Sequence, residues 1–146
     1  MELTLDQALQ KGVEAHKAGK VQEADRYYTA IIKAQPKHPD ANHNMGVLAV
    51  GVGKVETALP FFKTAIEANP KIEQFWLSYI DALIKLDRMA EARAVFDQAK
   101  SAGIKGDKVD QIQKQIKATD TKNATVQEPP QDQLQSLLNL YTNGHY

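Results

Sequence analysis

Along the first hundred residues, apolar side chains return every three or four positions, the period of an α-helix. Leu5, Ala8, Leu9, Gly12 and Ala15 form the first stripe and predict a helix near 5–18. Thr4 with Gln7 reads as a capping box over its start. Gly19 closes its end, because a residue that tolerates positive φ stops a helix at least cost. Ala24, Tyr27, Tyr28, Ile31 and Ile32 predict a second helix near 21–34. It stops at Gln35-Pro36, since proline disfavours helical backbone at the residue before it. The plan repeats near 39–52 and 55–68, then near 73–86 and 89–102. Pro60, about a turn inside its helix, should kink that helix or loosen its start.

The step between equivalent positions is constant at 34 residues. Gly19-Lys20-Val21-Gln22-Glu23-Ala24 returns as Gly53-Lys54-Val55-Glu56-Thr57-Ala58, and more loosely as Asp87-Arg88-Met89-Ala90-Glu91-Ala92. Tyr28, Phe62 and Phe96 are aromatic in one column. Gly12 and Gly46 agree in another, with Ile80 third; Pro36 and Pro70 agree in a third, followed by Ile104. Short turns between helices require antiparallel neighbours. The glycines mark where two helices come closest, and the aromatics would fill the gap to the next pair.

This joint pattern resembles the tetratricopeptide repeat over residues 5–106, as units 5–38, 39–72 and 73–106, with Trp76 where that family often has tryptophan. The resemblance implies an all-α fold, a right-handed α-solenoid of stacked antiparallel helix pairs. Ile80, Asp87 and Ile104 depart from the pattern and bear on the tightness of the third unit. Val109, Ile112 and Ile116 among polar neighbours predict a one-sided helix over 107–117, suited to cap the array. Residues 118–130 have the composition of a linker ending in two prolines. Residues 131–146 carry Leu134, Leu137, Leu138 and Tyr141 at helical spacing and resemble the first half of a further repeat. That apolar stripe is a candidate self-association surface.

Composition narrows the chemistry. Eighteen basic residues balance eighteen acidic ones, so no net field draws the chain to nucleic acid or anionic lipid. The absence of cysteine excludes a disulfide framework and thiolate chemistry. The first residues lack the basic and apolar regions of a signal peptide, so a cytoplasmic location is expected. Gly51-Val52-Gly53-Lys54 only superficially suggests a phosphate loop: Leu48 stands where its first glycine belongs, and Val55 where its hydroxyl belongs. His38 and His43 lie five apart with no third ligand at metal spacing. No metal, cofactor or catalytic residues are expected, and an enzyme is not the reading.

In arrays of the family this chain resembles, first helices line a concave groove. Groove residues that the repeat core does not need are Leu9, Val13 and His16, then His43, Asn44, Val47 and Val50, then Leu77, Asp81 and Ile84. The aliphatics among them could equally broaden the core stripe. One subfamily grips the C-terminal carboxylate of chaperones with lysine, arginine and asparagine; the matching positions here are Leu9, Val13, Asn44, Gln74 and Ser78, of which only Asn44 fits. The expected function is therefore non-catalytic binding of a protein partner, as a peptide or amphipathic helix in that groove. Two alternatives stand beside it: self-assembly, with helix 131–146 docking on another copy, and the N-terminal arm of a larger bacterial transferase.

Overall fold

A computed structural model describes residues 3–127, with side chains as far as residue 118. The 131–146 segment, with Leu134, Leu137, Leu138 and Tyr141, lies outside the described residues. Within them every regular element is a helix: α1 (Leu5–Lys17), α2 (Val21–Ala34), α3 (Pro39–Gly51), α4 (Val55–Ala68), α5 (Glu73–Lys85), α6 (Met89–Ser101) and α7 (Asp107–Gln127). No described residue is in a strand. The chain divides into two units at Lys105/Gly106.

Local chemistry explains the helix ends of the first unit. Thr4 Oγ1 accepts from the Gln7 amide at 3.0 Å, and Gln7 Oε1 accepts from the Thr4 amide at 2.9 Å, so the capping box forms. Gly19, Gly53 and Asp87 occupy one column and all have positive φ, 78°, 85° and 61°. Behind each turn residue, the next amide closes back on the helix: Lys20 to the Ala15 carbonyl, Lys54 to Ala49, Arg88 to Leu83, at 2.8–2.9 Å. Gly53 is thus a helix stop. Where Pro36 and Pro70 end α2 and α4, the third unit uses Gly103, at φ 89°, with Ile104 buried beside it. α4 runs as one helix from Val55 to Ala68 with Pro60 inside it, at an exposed position.

Helices pair α1–α2, α3–α4 and α5–α6, and each pair stacks on the next through α2–α3 and α4–α5. A Cβ added to Gly12 would meet Tyr28 Cε1 at 2.7 Å, and one added to Gly46 would meet Phe62 Cε1 at 2.5 Å. The aromatic ring therefore lies on the glycine of its own pair. It also reaches forward: Tyr28 clusters with Leu48 of α3, and Phe62 with Ala82 of α5. Both Tyr28 and Phe62 are completely or almost completely buried, as are Ile31, Ile80 and Leu83.

The loops between pairs are clasped by side chains that share a column. Asn42 Nδ2 donates to the Pro36 carbonyl at 3.0 Å and to the His38 carbonyl at 2.8 Å. One repeat later, Trp76 Nε1 donates to the Pro70 carbonyl at 2.8 Å. Amide and indole are different groups, but each carries an N–H across the same six residues to a carbonyl that helix geometry leaves unpaired. His38 caps α3, its Nδ1 accepting from the Ala41 amide at 3.1 Å.

In the second unit, α7 has Val109 and Ile116 buried while Lys108, Asp110, Lys114 and Lys117 are exposed, a one-sided helix. It extends to Gln127, well beyond residue 117, so the predicted linker over 118–130 is helical for most of its length. The reason lies in the sequence: 118–127 holds neither proline nor glycine, and Pro129-Pro130 is the first strong breaker.

Candidate functional site

The first helices of the three pairs are neighbours, since α3 touches α1 on one side and α5 on the other. The 34-residue step then aligns Leu9, His43 and Leu77; Val13, Val47 and Asp81; and His16, Val50 and Ile84. Leu9, Val13, His16, Asn44, Val47, Val50 and Ile84 are half-buried, and Asp81 is exposed. His43 and Leu77 are buried, at 9% and 7% exposure, so neither offers a free side chain to an incoming ligand. The cause is the stack: α1 packs mainly on α2 and α3, while α3 is enclosed by α1, α2, α4 and α5. Leu9 and Val13 also pack against the Ala15, Ala24, Tyr28 and Leu48 cluster, and Val47 and Val50 against Ala58, Phe62 and Ala82. These aliphatics seal the core with one side and meet solvent with the other.

His43 joins two repeats. Its Nε2 lies 2.8 Å from Ser78 Oγ on α5, and Gln74 Nε2 donates to the same oxygen at 3.1 Å. The Ser78 hydroxyl accepts from Gln74 through one lone pair and can donate its own proton to an unprotonated Nε2. The ring stacks on Phe75 at 4.9 Å between centroids and 29° between planes, and leans on Phe62 at 5.6 Å. Burial lowers the His43 pKa; the hydrogen bond with Asn44 and the charge of Asp40 oppose that shift but are smaller. A neutral imidazole at physiological pH follows. His16 plays a related part in the first repeat, with Nδ1 3.3 Å from the hydroxyl of Tyr28 and the rings edge to face. Burial raises the Tyr28 pKa, so the phenol stays protonated.

Charges on this side are sparse and solvated. Lys85 Nζ meets Asp81 Oδ2 at 2.8 Å, with both side chains about half exposed. Exposed pairs of this kind contribute at most about 1 kcal/mol. Leu9 and Val13 are packed, Asn44 is polar, and Gln74 and Ser78 bond to each other. None of these positions supplies a fixed cation. Arg88 pairs with Glu91 at 2.5 Å and reaches Glu56 of α4 at 3.8 Å.

The sequence reading named the polar and aliphatic positions of this side but missed the two clasps at Asn42 and Trp76 and the link from His43 to Ser78. A lone asparagine or tryptophan on an apolar stripe is a weak signal; their shared column, six residues after a proline, could have exposed the clasps.

The tetratricopeptide-repeat family model matches residues 43–107. No curated protein matches the chain. Among solved structures, the Sgt2 TPR domain from Aspergillus fumigatus superposes with a TM-score of 0.75 at 19% identity, covering 87% of this chain and 85% of that one. The first TPR of Spaghetti (RPAP3), bound to the HSP90 peptide SRMEEVD, gives 0.68 at 20% identity, with 77% and 89% covered. MamA MSR-1 gives 0.59 at 26% identity, covering 68% of this chain and 57% of that one.

Proposed function

We propose that this chain, whose residues 43–107 match the tetratricopeptide-repeat family model, is a non-catalytic interaction module whose first-helix side takes a peptide or amphipathic helix with little charge. One observation carries the reading: a run of half-buried aliphatics, Leu9, Val13, Val47, Val50 and Ile84, crosses α1, α3 and α5 without a lysine or arginine at the positions that would grip a carboxylate. Repeat structures of this fold with a heat-shock peptide bound support peptide recognition as the general role. Their ligand chemistry does not carry over, because a free carboxylate out of water needs charge-assisted donors and this side has none in place. Apolar anchors at helical spacing suit it better, with Asn44, Gln74 and Ser78 as the polar edge.

Selection of phage-displayed peptides on the full chain tests the reading. Enriched sequences should carry apolar residues three or four apart, bind without a free C-terminus, and lose at least about tenfold in affinity to the Val47→Glu chain. Circular dichroism checks that this half-buried substitution leaves the helices intact. Enrichment of peptides that require an acidic C-terminal carboxylate would refute the proposal.

A further inference from the structure

A different surface, away from the first-helix side, holds a recess of about 500 Å³ between α2, α3 and α4. Its apolar lining comes from Val21, Met45, Leu48, Val52 and Phe61, and single charges, Asp25 and Lys54, stand in its wall. Among the described residues four large hydrophobics are exposed, Leu3, Val21, Val52 and Ile72, and two of these belong to this recess. Val52, at 47% exposure, sits at the turn after α3. Aliphatic surface of this kind gains free energy when covered.

The chain itself carries a segment of matching chemistry. Nineteen residues follow Gln127, and Pro129-Pro130 separates their last sixteen from the helix before them. Over 131–146 there is no lysine or arginine and one acidic side chain, Asp132. Leu134, Leu137, Leu138 and Tyr141 give it an apolar stripe, the i, i+3, i+4, i+7 pattern with which a helix fills a groove. A mostly uncharged segment and a mostly apolar recess match without desolvating ion pairs.

We propose that the recess between α2, α3 and α4 is a docking site for the 131–146 segment of a second copy of this chain. Such a contact joins two different patches, so it propagates from copy to copy unless the geometry closes. It leaves the first-helix side open, so it stands or falls separately from the peptide-binding reading.

The test uses full chains in sedimentation velocity. Wild type should show a mass that rises with concentration. Val52→Asp damages the recess at an exposed site, and Leu138→Asp damages the segment; each alone should weaken association at least about tenfold. Thr57→Glu, at an exposed position in the recess wall, should repeat the Val52→Asp result should that chain prove unstable. Mixing the two damaged chains restores one intact recess and one intact segment, so association should return. The proposal is overturned by a wild type that stays at the mass of one chain, by association that survives either substitution, or by a mixture that fails to recover.

Discussion

The second and third helix pairs follow one 34-residue plan and close their seams differently. In the second, Gly46 presents bare backbone and Phe62 lies flat against it, so close that a methyl group there would sit 2.5 Å from the ring. In the third, Ile80 fills the same column and Phe96 has no glycine to lie on; Ile80 is nonetheless buried to 1% exposure. The backbones of α3 and α4 accordingly run near each other over a longer stretch than those of α5 and α6. The turns differ in step: Gly53 adopts positive φ freely, whereas Asp87 adopts it against the crowding of its own Cβ. One volume can be filled by a close helix and a ring, or by an aliphatic chain and a wider spacing. The first-helix side of the array is carried by both solutions.

Exchanging the two solutions is the strongest way to break that comparison. Gly46→Ile places a branched side chain where Phe62 stands, and urea unfolding should show a loss of about 3 kcal/mol or more from overpacking. A loss below about 1 kcal/mol would mean that the second pair opens freely to the spacing of the third. Ile80→Ala removes buried volume instead, and about 2–3 kcal/mol should be lost, the low end for such truncations because a looser pair can partly close. Asp87→Gly, which relieves the positive-φ residue in an exposed turn, should raise stability by about 1 kcal/mol. The reverse change at the equivalent turn, Gly53→Asp, should lower it by about as much.

A smaller effect sits at the joint between the two pairs. Burial holds the folded-state pKa of His43 below its ordinary value of 6.5. The unfolded chain therefore takes up this proton first as pH falls, so the stabilisation is complete above about pH 6.5 and is lost progressively down to the lowered folded value. His43→Gln should flatten the slope of stability against pH in that window, measured by urea unfolding between pH 7.5 and pH 5. An unaltered slope would show that another group carries it.

Most helix boundaries were legible because their signals are local. Gly19, Gly53, Pro36 and Pro70 act on the backbone where they stand, and the six helices of the first unit begin and end within about a residue of the pattern. The far end of α7 was not, since composition suggested a linker where no residue actually breaks a helix before Pro129. Burial at the site was legible only in part. Leu9, His43 and Leu77 share a column, yet only Leu9 remains half-exposed, because exposure depends on how many helices surround each position and not on the residue itself. The recess between α2, α3 and α4 could not be read from spacing, since it arises from residues of three helices meeting around empty space.

The central claim is that the first-helix side recognises an apolar face and lacks the means to hold a carboxylate. Calorimetric titration of the full chain with the peptide SRMEEVD, at low salt where charge interactions are strongest, tests it most directly. The account predicts no heat of binding with the peptide at about millimolar concentration. Micromolar binding that disappears when the terminal carboxylate is amidated would contradict it.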